Sequence, residues 1–189
     1  MLKITIKDRE IEYSVHYRNV KYIRYELREG KLKVVLPKRY DVDVEDCVRR
    51  KEDWIYNKLI EYDKVHNELK KQTENKTLIN RTLTELRLIV DSYIDKYQDL
   101  LNVHVNRLQF RCMTTKWGSC SSLGNVTLSK DLRFLPEELI AYIVYHELTH
   151  LIILAHNNDF FKIIKQEFPF YELYDQQLKE YWYLIYNNT

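Results

Sequence analysis

The run His146-Glu147-Leu148-Thr149-His150 sets two imidazoles four residues apart, with a carboxylate beside the first. On a helix, residues at that spacing share a face about 6 Å apart along the axis, so both rings can converge on one tetrahedral metal ion. Glu147 then projects to one side, where a carboxylate takes a proton from water that the metal has acidified towards a pKa of about 7. The chemistry is metal-assisted hydrolysis. Zinc is the expected ion, although imidazoles also suit nickel, cobalt and iron. The plainer reading is a pair of histidines on an amphipathic core helix. Ile140, Ile143 and Val144 upstream supply the buried face that a metal-binding helix needs, and the site reading prevails.

Such a site needs a third protein ligand and a fourth position open to water. His156 lies six residues beyond His150. Leu151 to Ala155 contains no glycine to force an early turn, but the apolar run could extend the helix by one turn and reverse at Ala155. Spacing alone leaves Asp159, Glu167 and Glu172 as carboxylate alternatives, and leaves His156 a possible helix end. His16, His66 and His104 fall in strand or long-helix contexts and read as structural or exposed. Ser119, Cys120, Ser121 and Ser122 offer nucleophiles, yet a metal-activated water makes one unnecessary and no Asp-His partner is evident. Arg111 and Lys116 are candidates for stabilising an oxyanion or gripping an anionic group, or else are ordinary loop cations.

These residues need a scaffold. Leu2, Ile4 and Ile6, then Ile11, Tyr13 and Val15, alternate with polar residues across Asp8-Arg9-Glu10 and predict a hairpin. Residues 20–28 and 32–36 flank Glu29-Gly30 as a second hairpin, so an antiparallel N-terminal sheet is expected. Val44, Val48, Ile55, Leu59, Tyr62 and Leu69 predict one long helix over 44–70. The polar stretch Lys70 to Lys76 is the natural boundary, giving units 1–75 and 76–189. A second helix carries Leu83, Leu86, Val90, Tyr93, Ile94 and Tyr97. Strands follow at 103–111 and 125–129, the latter expected as a sheet edge near the metal helix, where Asn125 and Thr127 either meet an extended peptide or belong to a plain edge with no ligand. Pro136-Glu137-Glu138 starts the metal helix. Asn157, Asn158 or Asp159 caps a short helix ending near Pro169, and an aromatic helix covers 172–186. The class is α+β: a metal helix on a small mixed sheet, with an N-terminal sheet and long helix.

Composition bounds the rest. Across 189 residues, 45% hydrophobic and 31% charged, with 3 Gly and 3 Pro, the chain is a globular one of long regular elements rather than a disordered one. The net charge of +2 implies no partner, though residues 1–39 hold eleven Lys/Arg against five Asp/Glu. Most such faces are simply solvated; the sharper reading is an anionic-ligand surface. Cys47, Cys112 and Cys120 form no CxxC pair and no disulfide framework. No stretch approaches the ~18 apolar residues of a membrane span, and the charged start does not resemble a signal peptide. The cytoplasm is the expected compartment.

Four segments together carry more than HExxH does. Trp117-Gly118-Ser119-Cys120-Ser121-Ser122, Gly124-Asn125-Val126-Thr127-Leu128, Leu135-Pro136-Glu137-Glu138-Leu139-Ile140 and His146-Glu147-Leu148-Thr149-His150-Leu151 resemble the YgjP-like metallopeptidase family, whose relatives include SprT-like and WLM-type metalloproteases and the minigluzincins. The resemblance covers most of residues 79–170. Residues 32–37 and 48–55 resemble the family's N-terminal sheet and following helix. It implies a zincin-like fold with the strand at 125–129 on the upper rim of the cleft. It also implies a third ligand at His156, followed by the aromatic pair Phe160-Phe161. Ala155 and Asn157 depart from the family pattern, which bears on the hydrogen bonds around His156. For function it implies a zinc-dependent peptidase. The alternatives are a nucleotide (UTP) pyrophosphatase, using Arg24, Arg28, Lys31 or Lys33, or else Arg111 and Lys116, for phosphates, and a non-catalytic module binding DNA or protein.

Overall fold

The computed structural model describes residues 1–28, 30–39 and 42–187, so Glu29 of the expected second turn lies outside the described residues. The chain divides into two compact units, residues 1–71 and 72–189. No helix among the described residues is long and apolar enough to cross a membrane.

In the first unit, β1 (Leu2–Ile6), β2 (Arg9–Arg18), β3 (Arg24–Arg28) and β4 (Lys31–Pro37) form one sheet in the order β1-β2-β4-β3. Both expected hairpins form, and Gly30 takes a φ of +71° in the second. The sheet is nevertheless mixed, not antiparallel throughout: β2 and β4 run parallel, with Tyr13 opposite Leu32 and Tyr17 opposite Leu36. The reason is burial. Leu32, Val34, Val35 and Leu36 make β4 the most deeply buried strand, so it takes a central position. β3, with Arg24 and Arg28 exposed, takes the edge, where charged side chains remain in water.

The expected long helix is two helices, α1 (Val44–Arg49) and α2 (Glu52–Thr73). Asp43 caps α1 by accepting from the amides of Glu45 and Asp46. The chain then tightens where the Lys51 amide bonds the Val48 carbonyl, three residues back instead of four. Such a turn rotates the helix face. Val48, Ile55 and Leu59 all reach the core beneath Ile4, Ile6, Ile11, Leu32 and Leu36.

The second unit is built around one buried helix. α3 (Leu83–Leu101) opens with a reciprocal cap in which Thr82 and Glu85 bond each other's backbone amides. It buries Leu86, Val90, Ile94 and Tyr97 against α4 (Glu137–Thr149). In α4, Leu139 to Tyr145 are buried without interruption, which marks a helix enclosed on all sides. The small sheet is mixed, as expected: β7 (Asn125–Ser129) runs parallel to β5 (Arg107–Arg111) and antiparallel to β6 (Gly118–Cys120). Its order is β5-β7-β6, so the strand expected at an edge is the central one. Val126 and Leu128, both fully buried, account for that position. The edge is β6, a strand of three residues inside what reads as a loop. A short 3-10 turn (Lys130–Phe134), α5 (Asn158–Glu167) and α6 (Tyr171–Asn187) complete the unit.

Candidate metal centre

α4 delivers His146, Glu147 and His150 from its last turn, and the helix stops there. Its final residue is Thr149, with His150 in the cap position, and the amides of Leu151 and Ile152 close a tight turn on the carbonyls of Leu148 and Thr149. The helix therefore does not extend through Leu151–Leu154. The chain reverses at once and comes back at His156, one residue before Asn157 caps α5 by accepting from the amides of Asp159 and Phe160. Asn157, which departs from the family pattern, thus fixes the chain direction just after His156 by starting a helix.

The three imidazoles converge. One ring nitrogen from each of His146, His150 and His156 lies within 4.8 Å of the other two. His146 Nε2 and His156 Nε2 are 2.9 Å apart. Two nitrogens bound tetrahedrally at about 2.05 Å to one ion are about 3.3 Å apart, so small adjustments complete the set. His150 Nδ1 sits 3.1 Å from the Ile153 carbonyl; as the donor there it leaves Nε2 as the lone pair facing the other rings. Burial, then the nearby His150 and His156, push His146 down to about 3, and burial also lowers His150. Both rings are therefore neutral near pH 7, the form in which imidazole ligates. Three imidazole nitrogens converging on one point, with no fourth protein ligand in the group, fit zinc in an open arrangement.

Beneath the rings lies Phe160, fully buried, with its ring 5.0 Å from His146, 4.8 Å from His150 and 4.8 Å from His156. Phe161 stacks on Tyr171 and reaches only His156, at 6.2 Å. The aromatic pair thus divides: Phe160 supports all three histidines, while Phe161 ties α5 to α6.

Glu147 and the three histidines line one cleft of about 480 Å³. Burial pushes the Glu147 carboxyl up to about 7, partly offset by the positive charge of Lys116. Gly118, which the sequence presents only within the segment Trp117–Ser122, sits directly against it. A Cβ placed on Gly118 would lie 2.7 Å from Glu147 Oε1 and 2.8 Å from its Cγ. The φ of Gly118 is not in the left-handed region. Its lack of a side chain therefore serves close approach, not backbone freedom. Cys120, two residues along β6, faces the same cleft, and burial raises its thiol to about 11, so it is a poor nucleophile near neutrality.

The far wall comes from α6, with Asp175 and Leu178, and from Tyr142 and Ile143 of α4. α6 also holds the segment that leads into β6. Trp182 meets Trp117 edge-on at 4.8 Å, and the Tyr186 hydroxyl lies 2.5 Å from Asp131 Oδ2 and 3.1 Å from the Met113 carbonyl.

The substrate candidates separate. Lys116 lines the cleft. Arg111 stands at the exposed end of β5 with its guanidinium donating to Gln109 Oε1, outside the lining. Thr127 Oγ1 accepts from Gln109 Nε2, and the Asn125 amide donates to Ser121 Oγ. With β5 and β6 on either side of β7, the backbones of Asn125 and Thr127 have no free edge for a peptide. Arg24, Arg28, Lys31 and Lys33 belong to the N-terminal unit.

The family model for the YgjP-like metallopeptidase domain matches residues 61–181, a span that includes all the residues of this centre. No curated protein gives a match. Among solved structures, the crystal structure of the metallopeptidase zymogen of Pyrococcus abyssi abylysin is similar at 26% identity. The match covers 42% of this chain and 80% of that one, with a TM-score of 0.39.

Proposed function

Since the chain belongs to the YgjP-like metallopeptidase family, we propose that it is a zinc-dependent peptidase in which His146, His150 and His156 hold the ion and Glu147 moves the proton. The observation that carries this is the convergence of three imidazoles within 4.8 Å beside a buried carboxylate at the floor of a cleft. When bound, the ion supplies a Lewis acid that acidifies water and polarises a carbonyl. Glu147, lining the same cleft, accepts a proton from the attacking water and passes it to the departing amine as the C–N bond breaks. Lys116 adds positive charge on the side where the oxyanion develops. β6 is the terminal strand of its sheet, with one side paired to β7, and on this reading its other side adds an extended peptide as a further strand. That assigns to Gly118–Cys120 the alignment role that the sequence suggested for Asn125 and Thr127.

The test is Glu147→Gln, purified with zinc and assayed by mass spectrometry against a peptide library. Zinc stoichiometry should equal that of the unaltered protein, and cleavage should fall by at least a thousandfold. Unchanged cleavage in that variant would remove Glu147 from the mechanism.

A further inference from the structure

The cleft contains a carboxylate that proton transfer does not need. Asp175, on α6, lines it one helical turn from the metal ligands in the sense set by Tyr142, which precedes His146 by four residues on α4. The Tyr142 hydroxyl donates to Asp175 Oδ1 at 2.8 Å. Tyr142 is 1% exposed and wedged between Phe168 and Tyr174, with ring centroids 5.3 Å away in each case, so its hydroxyl is a fixed anchor. Asp175 forms no ion pair among the described residues, unlike Asp159, Glu167 and Glu180 of the same unit, which pair with Lys162, Lys96 and Lys76. One oxygen is held and the other has no cation. Leu178, Ile143 and Leu154 give the same cleft an apolar share beside its polar residues.

A half-buried carboxylate, fixed by one hydrogen bond and without an ion-pair partner, gains most from a cation that brings its own donors. Those apolar residues suit the methylene stem that leads to such a cation. Resting on the peptidase reading, we infer that Asp175 forms a selectivity subsite for a substrate cation next to the scissile bond, either the guanidinium or ammonium of a basic side chain or a free peptide amino terminus. Lys116 lines the same cleft, so the chain bound there experiences a positive group and a negative one, and an acidic residue at the Asp175 position is disfavoured.

Matched peptides carrying arginine or its neutral isostere citrulline, each with a free or acetylated amino terminus, separate the two sources. With zinc-loaded protein, kcat/KM should favour one cationic form by about tenfold, as for one partly hydrated charge-assisted hydrogen bond. In Asp175→Asn, which can still accept from Tyr142, that ratio should fall to near one. Tyr142→Phe, which retains the charge but frees its carboxylate, should give an intermediate ratio. Binding of the same labelled peptides to Glu147→Gln, with and without Asp175→Asn, is read in parallel by fluorescence anisotropy. Cleavage with no cation preference, or with a preference that survives Asp175→Asn, overturns the subsite and leaves the peptidase standing. Cation-dependent binding without cleavage by the unaltered protein overturns the peptidase and leaves the subsite.

Discussion

Replacing Gly118 by alanine adds one methyl group where there is no room for it. The new Cβ would sit 2.7, 2.8 and 2.9 Å from Oε1, Cγ and Cδ of Glu147, inside the separation that carbon and oxygen atoms tolerate. Because Cγ is among the crowded atoms, rotating the carboxylate alone does not relieve the clash, and the whole side chain has to move. Glu147 is 7% exposed, so it moves within packed surroundings. A displacement of about 1 Å at a catalytic group costs on the order of a hundredfold in rate, equivalent to about 2.7 kcal/mol of barrier. Overpacking should lower stability by about 1–3 kcal/mol. The three atoms nearest the new Cβ all belong to Glu147 and none to the histidines, so zinc content should not change. Three measurements on Gly118→Ala decide the matter: zinc stoichiometry, thermal unfolding, and kcat/KM on a peptide that the unaltered protein cleaves. Full metal loading with a hundredfold loss is expected. Turnover equal to that of the parent would refute the claim that Glu147 acts from the position it occupies here.

Phe160→Ala removes the floor shared by three rings and should destabilise the protein by about 3–5 kcal/mol, the range for a fully buried Phe, with weaker zinc binding; calorimetry and metal titration check both. Chelation should lower the melting temperature of zinc-loaded protein, since an ion present at about a hundred times its Kd adds about 2.7 kcal/mol, and His156→Ala should abolish most of that shift. Asn157→Ala deletes two bonds at the start of α5 and should cost about 1 kcal/mol in denaturant unfolding. An unchanged midpoint would show that the cap does not hold the segment after His156.

The residues of the centre that lie close in sequence were readable from it, because four-residue spacing on a helix fixes a shared face whatever surrounds it. His156 was harder: spacing alone left carboxylates in contention, and the family likeness favoured it over them. Strand order was not readable. Alternation in 125–129 reports which face is buried, and a central strand and an edge strand can alternate identically. The parallel pairing of β2 with β4 was hidden for the same reason, although the apolar density of residues 32–36 was a usable sign. The sequence marks Gly118 only as part of the segment Trp117–Ser122, and Asp175 gave no local signal. One matters through a contact with a residue 29 positions later, the other through a hydroxyl 33 positions earlier, and only packing brings either pair together.

α6 contributes Asp175 and Leu178 to one bank of the cleft, and with Trp182 and Tyr186 it grips the segment that forms the other. Tyr186 lies eleven positions beyond Asp175 on the helix, a rod about 16 Å long. Because one helix touches both banks, a substitution in α6 that shifts Trp182 or Tyr186 should be felt at Asp175 and at β6 together.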